Sequence, residues 1–191
     1  ETALMLDVMD GDLMREAGII TGVSLGDVIY RGAKISDAKY ISHNEHFTAA
    51  AAGDASLEDL LGSIAAMSLH YDWVFVGAAS GCTPAHVSLA KAADQPLICY
   101  GTDGDAFMRA YWMIDAVRMR APKFDPVMVA NGSSAEASET FEMLSATISE
   151  FLGAPPKFGG AMQAGTPPRE IAASLLQALA KEKAGSRRAV S

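Results

Sequence analysis

The sequence predicts an α/β fold: a doubly wound, mainly parallel sheet with helices on both faces, in three layers. Three observations predict it. Short apolar runs alternate along the chain with longer segments whose apolar residues recur at helical spacing. The connections between them are short and rich in Gly, Ser, Asn, Asp and Pro. Half of the 191 residues are hydrophobic and 20% are charged, the balance of a chain with one packed core.

The elements follow in order. Ala3-Leu4-Met5-Leu6 is an apolar run closed by Asp7, which suits a buried parallel strand with an acid at its C-terminal edge. Leu13 to Ala17 reads as a short helix or turn. Apolar residues at Leu25, Val28 and Ile29 behind Ser24 predict a capped helix. Ile35 to Ile41 is a second short segment with Ser36 as its cap, and the Ala-rich stretch from His43 to Asp54 is a place for a further strand. Ser56 caps a helix to His70, with Glu58 and Asp59 in the first turn, where the helix dipole favours acids. Trp73-Val74-Phe75-Val76 predicts a central buried strand, running into a tight small-residue turn that ends at Gly81. Pro84 opens the next helix. Strands over Pro96–Tyr100, Val127–Ala130 and Lys157–Met162 then alternate with helices over Ala106–Arg120, Ser134–Leu152 and Pro167–Lys181. One domain over residues 1–183 and a loose tail over 184–191 are expected. The opening at Glu1, without Met and directly into an apolar run, predicts a further segment upstream.

Charge narrows the partners. With 15 basic and 23 acidic side chains the formal net charge is −8, which repels nucleic acid and anionic lipid. No direct nucleic-acid binding is expected. The dense basic cluster, Lys181, Lys183, Arg187 and Arg188, reads as a solvated tail. Cys82 and Cys99 have neither disulfide nor metal spacing and read as buried thiols of a reducing cytoplasm. No apolar run approaches the roughly 18 residues of a membrane-spanning helix. Membrane association would be indirect, either by recruitment to the inner membrane or a cell pole or through the final helix, whose apolar face is followed by basic residues.

The order of these pieces resembles the ParA/MinD group of P-loop ATPases. Tyr71-Asp72-Trp73-Val74-Phe75-Val76 with the turn to Gly81 is similar to that group's Walker B strand. Leu4-Met5-Leu6-Asp7 is similar to its preceding strand, whose aspartate helps hold magnesium and orient water. Leu25-Gly26-Asp27-Val28 before Gly32, the strand ending at Asn131, and the helix ending in Phe151-Leu152-Gly153 match in the same order. The resemblance spans residues 3–180. It implies a P-loop NTPase-like sandwich, ATP or ADP with magnesium as cofactors, and a homodimer formed at the strand-end face. It assigns water orientation to Asp7, adenine to Asn131, and the neighbourhood of the γ-phosphate to Ser80 and Gly81. Asp10 and Asp12 stand near the group's second acid, whose own position falls on Met9.

The departures bear on function. No Gly-Lys-Ser/Thr loop occurs in these residues, and in the group it would precede Glu1. The Walker B acid falls on Gly77, which cannot hold a metal shell. This pattern implies a decayed ATPase, similar to the TadZ/CpaE branch or to FlhG-like and BcsQ-like regulators. Such a protein would localise or assemble a pilus, flagellar or secretion machine of the cell envelope with weak or no hydrolysis. The alternative is an active dimerising ATPase of partition or division-site type with its loop upstream. A kinase-like domain of polysaccharide export is a third option, but the tail has no tyrosine.

Each candidate also has a plain structural reading. Asp7 could cap a neighbouring helix, Asn131-Gly132 could be a turn, Thr83 could cap the helix after Gly81, and Asp103 and Asp105 could be solvated loop acids. The four histidines do not cluster at ligand spacing, so no metal ligands are assigned. Ser80 and Ser88 lack a glycine-framed elbow. The stretch Asp105–Trp112 is the better interface candidate, if its large apolar residues face outward.

Overall fold

A computed structural model of the chain describes residues 2–9, 13–20, 22–41 and 47–167, and seven helical residues between 169 and 177. It divides into two compact units, Glu1–Gly81 and Cys82–Ser191.

In the first unit, β1 (Ala3–Val8), β2 (Tyr40–Ile41), β3 (Thr48–Ala51) and β4 (Trp73–Ala78) form one sheet in the order β2-β3-β1-β4. β1 is parallel to both its neighbours, and β2 is antiparallel to β3. The connection from β1 to β3 carries α1 (Leu13–Glu16), α2 (Leu25–Arg31) and a 3-10 turn over Ile35–Ala38. The connection from β3 back past β1 to β4 carries α3 (Leu57–Ser68). Right-handed crossovers in opposite directions put α2 and α3 on opposite faces of the sheet. Leu4, Leu6, Val8, Leu25, Ala49, Ala50 and Leu60 are buried there.

Local chemistry sets the helix starts. Ser24 accepts from the Asp27 N–H at 3.2 Å, while the Asp27 carboxylate accepts from the Ser24 N–H at 2.8 Å, a reciprocal capping box. Ser56 caps α3 by accepting from the Asp59 N–H at 3.2 Å, as its sequence position predicts, while its own N–H donates to the Tyr30 hydroxyl at 2.8 Å. The expected cap at Ser36 is not used: the turn begins after Lys34 without a side-chain cap. The strand expected among the alanines is β3. At the base of the sheet, Asp72 accepts from the Thr2 N–H at 2.6 Å, and the Thr2 carbonyl accepts from the Trp73 N–H at 3.2 Å. The Tyr-Asp pair before the apolar run thus fixes the register of β4 on β1, with Lys39 Nζ lying 5.6 Å from the Tyr71 ring centroid.

β4 departs from expectation. Among the described residues it pairs with β1 alone, and it is not buried throughout, with Phe75 46% and Val76 39% exposed. The apolar run gave no warning, because hydrophobicity reports the environment a strand wants and not how many neighbours it has.

In the second unit, β5 (Leu97–Gly101), β6 (Val127–Asn131) and β7 (Lys157–Met162) form a parallel sheet in that order, with a register shift at Met128/Val129. α4 (Pro84–Ala92) precedes it, and α5 (Gly104–Arg118) and α6 (Ser134–Leu152) are its crossovers. The crossovers run in one direction, so α5 and α6 share a face and pack together. Ile114, Val117, Met128, Leu144 and Ile148 are buried between the layers. Arg118 is buried as well. It donates to the Phe124 carbonyl and to the Leu152 carbonyl, both at 3.1 Å, and so ties the ends of α5 and α6 together. Burial lowers its pKa from the usual arginine value. The tail over 184–191 lies outside the described residues. Cys82 and Cys99, expected to be buried, are both exposed: the loop before α4 and the edge strand β5 leave them uncovered.

Candidate functional site

The C-terminal ends of β1 and β4 form one edge of the first sheet. Asp7 and Gly77 are direct partners across the β1–β4 ladder, so both positions face the same side. Asp7 is 8% exposed. Its Oδ2 accepts from the Met14 N–H of α1 at 3.0 Å, which is the capping role. Its Oδ1 is buried and, among the described residues, has no hydrogen-bond partner. A buried carboxylate oxygen without a donor is costly, and it is the kind of atom that a water or cation would satisfy.

The chain then turns sharply. Met9, at the position of the expected second acid, has φ +57°, the one positive φ at a non-glycine residue among those described. A long side chain in this conformation stores of order 1 kcal/mol. α1 lies against the strand ends, and with it Leu13. A Cβ built on Gly77 would lie 2.7 Å from Leu13 Cδ1. Leu13 therefore fills the space into which an acid at position 77 would project. Leu13 was missed in the sequence because its role depends on a contact across 64 positions. The signal that could have found it is the glycine itself, since a glycine inside an apolar strand marks a close approach.

Ser80 and Gly81 are exposed, in the loop that follows β4. The same edge thus carries Asp7, Gly77, Ser80 and Gly81. Thr83 opens α4 and is engaged with its own helix: Thr83 Oγ1 and His86 Nδ1 are 2.8 Å apart. Asp10 and Asp12 lie outside the described residues. Among the described residues no three His, Cys, Asp or Glu side chains gather as a metal site. Magnesium demands near-octahedral oxygen ligation. Asp7 Oδ1 is one suitable atom, but Gly77 offers no side-chain oxygen and Leu13 is apolar, so these residues do not fit a magnesium shell.

In the second unit the corresponding edge is made by Gly101, Asn131 and Met162, neighbours across β5, β6 and β7. Asn131 is exposed at the tip of β6. The Gly132 N–H donates to the Met162 carbonyl at 3.1 Å, and a Cβ on Gly132 would lie 2.8 Å from Thr102 Cγ2. Gly132 is not left-handed. Its bareness serves close packing at the strand ends rather than the turn expected of Asn-Gly. Asp103 caps α5 by accepting from the Ala106 N–H at 2.8 Å, which holds its carboxyl below the usual range. Of the expected candidates, Asp7, Ser80 and Gly81 fall in the first unit and Asn131 in the second. The interface candidate Asp105–Trp112 has two outward apolar residues, Met108 and Trp112, with Trp112 53% exposed, and Met119 just past the end of α5 is exposed as well.

Solved structures of MinD and of plasmid partition proteins share this fold of parallel strands joined by helices. The structure is similar to MinD in the MinC:MinD cell division complex of Aquifex aeolicus, with TM-score 0.67 and 17% identity over 92% of this chain and 73% of that one. It is similar to the septum site-determining protein MinD of Pyrococcus horikoshii complexed with Mg-ADP, with TM-score 0.63 and 16% identity over 91% and 72%. It is also similar to a plasmid partition protein of Borrelia burgdorferi bound to AMPPNP, with TM-score 0.67 and 11% identity over 95% and 86%. No family profile matches the sequence, and no curated protein matches it significantly. Among the described residues no helix is long and apolar enough to cross a membrane.

Proposed function

We propose that this protein is a localisation or assembly regulator built on the MinD/ParA fold, with nucleotide turnover weak or lost. It would form a homodimer at its strand-end face and recruit a pilus, flagellar or secretion machine from the cytoplasm, at the inner membrane or a cell pole. The observation that carries the reading is the Gly77–Leu13 contact. The metal acid is missing and its space is taken by a leucine, which supports a site that has been repacked. The exposed Met108, Trp112 and Met119 support recruitment of a protein partner. Titration calorimetry with ATP and magnesium on the full polypeptide, with phosphate release measured in parallel, tests this. Absent or weak binding is expected, and micromolar binding with turnover would refute it.

One observation favours a second reading. Asp7 Oδ1 is buried without a partner, as a residue kept to orient water would be. An active dimerising ATPase would then take its phosphate loop from upstream of Glu1, draw on Asp10 or Asp12 for its metal, place Ser80 and Gly81 near the γ-phosphate, and read adenine with Asn131. Asp7→Ala should abolish turnover in that case.

A further inference from the structure

The outer surface of the second unit is made by two parallel helices, α5 and α6, on one face of its sheet. Two contacts fix how each helix is turned. Arg118 of α5 donates to the Leu152 carbonyl of α6 at 3.1 Å, so that side of α5 faces α6. Met108, Tyr111 and Asp115 precede Arg118 at steps of three and four residues and share that side. Phe141 of α6 packs on Phe158 of β7 with ring centroids 4.7 Å apart, so that side of α6 faces away from α5. Met143, Thr147 and Glu150 lie roughly 120° or more round the helix from Phe141, toward α5.

The groove between the helices is lined by apolar and acidic side chains. Met108 and Met143 are exposed along it, and Met119 and Phe151 are exposed beside the Arg118–Leu152 tie at one end. Exposed large apolar side chains gathered along one groove mark a surface that another molecule covers. The charges beside them have one sign. Asp115 is on the α5 wall, and α6 carries Glu136, Glu139, Glu142 and Glu150 and no basic residue. Asp115, Glu139 and Glu150 form no ion pair among the described residues. Arg109 projects from the side of α5 away from α6, and Arg120 donates to the Ala116 carbonyl at 3.3 Å.

We infer that this groove takes an amphipathic helix of a partner protein, apolar on one face and basic on both flanks. The walls are helices, whose main-chain groups are spent within them, so an extended strand would find nothing to pair with. A helix seats apolar side chains at i, i+3, i+4 and i+7 between two parallel helices. Basic residues on its flanks would meet Asp115 on one side and Glu139 and Glu150 on the other. A second copy presenting the same groove would set acid against acid, and the same acids repel nucleic acid and anionic lipid. α5 spans 15 residues, about 22 Å, so the occupant is about four turns long. The groove is built wholly within the unit Cys82–Ser191. Such a helix is the partner chemistry of the recruitment proposed above, and it rests on that reading.

Two synthetic helices test it on the full polypeptide: a peptide of about 18 Leu and Lys residues with one apolar face, and the same peptide with Glu for Lys. Binding is read by titration calorimetry without nucleotide, at low and high salt. The Leu/Lys helix is expected to bind and the Leu/Glu helix not to. Met143→Ser and, separately, Phe151→Ser should weaken binding by about tenfold. Asp115→Asn with Glu150→Gln should weaken it and flatten its salt dependence. Glu58→Gln, on α3 of the first unit, should leave it unchanged. Met143, Phe151, Glu150 and Glu58 are exposed, so these changes spare the core. Binding that Met143→Ser and Phe151→Ser leave untouched overturns the inference, as does binding that Glu58→Gln weakens equally, because net charge alone then holds the peptide. No binding of either peptide overturns it too, and light scattering then tells whether a second copy covers the groove. The peptide titrations contain no nucleotide, so ATP turnover, which would refute the proposed function, leaves them unmoved.

Discussion

Replacing Gly77 asks whether the space beside Asp7 is open or filled by Leu13. A Cβ there would meet Leu13 Cδ1 at 2.7 Å and Leu13 Cβ and Cγ at 3.7 Å. The first contact must open by roughly 1 Å to reach ordinary van der Waals distance. Leu13 Cδ1 is the far end of a flexible side chain, so Leu13 can yield by leaving its rotamer, which costs about 0.5–1.5 kcal/mol. Gly77→Ala isolates that steric cost. Gly77→Asp adds a second carboxylate beside Asp7 on the same face of adjacent strands, so repulsion and desolvation raise its cost above that of Gly77→Ala by a further ~1–3 kcal/mol. Leu13→Ala in each background completes a double-mutant cycle. The coupling between positions 13 and 77 should be favourable by about 1 kcal/mol or more in both, and magnesium should recover stability only in the variant carrying both Gly77→Asp and Leu13→Ala. Urea unfolding with and without magnesium chloride reads all of these. A Gly77→Ala variant as stable as the parent, with no coupling to Leu13→Ala, would refute the claim that Leu13 occupies the acid's space.

Three further outcomes follow from the same geometry. Asp7→Ala loses a hydrogen bond to the Met14 N–H worth about 1.5–3 kcal/mol but also removes an unsatisfied buried oxygen costing about 1–3 kcal/mol, so its unfolding free energy should change by no more than ~2 kcal/mol; a loss above ~3 kcal/mol would mean that Oδ1 has a donor. Gly53 has φ +61°, and a Cβ on it would lie 2.3 Å from Ser24 Oγ, so Gly53→Ala should cost about 1–3 kcal/mol in urea unfolding, and a neutral result would contradict the packing of α2 on the loop after β3. Asp54, hydrogen-bonded to Arg31, Asp72 to the Thr2 N–H, and Glu136 to Ser133 all have lowered pKa values. Their contribution is therefore complete above the ordinary carboxylate range near ~4 and lost as pH falls through the lower folded values; a urea midpoint unchanged down to about pH 3 would contradict this.

The strands and helices were legible because each rests on a local cause. Ser56 and Ser133 cap because they precede acids three residues on, and both helices begin where that pattern places them. The alternation of β and α elements fixed the parallel topology, and the acid at the end of β1 was correctly set at a strand tip. What stayed hidden depends on contacts between distant residues. That β4 pairs with β1 alone among the described residues is set by contacts between strands, and an apolar run looks the same with one neighbour or two. The exposure of Cys82 and Cys99 follows from the same ignorance. Leu13 and the left-handed Met9 belong to a chain reversal that no periodicity encodes, since Met is an unusual residue for that conformation.

The position of α1 also bears on whether Asp7 and a side chain at position 77 could share a cation. An acid at position 77 would need room and a counter-charge. α1 removes the room, with Leu13 beside Gly77, and the Met14 N–H of the same short helix donates to Asp7 Oδ2. One short helix therefore both fills the space at position 77 and engages Asp7. Restoring an acid by a single substitution would meet both obstacles together. A functional metal shell would require α1 to move, and that movement would release Asp7 Oδ2 from its donor at the moment a cation needed it. Met9 itself is held at φ +57°, and leaving that conformation returns of order 1 kcal/mol. If Met9→Gly, which removes the strain, stabilises the chain in urea unfolding by about that amount, the reversal is under tension. A destabilised Met9→Gly would show that the Met side chain holds the turn by packing, and α1 would then be a fixed cover over the strand ends.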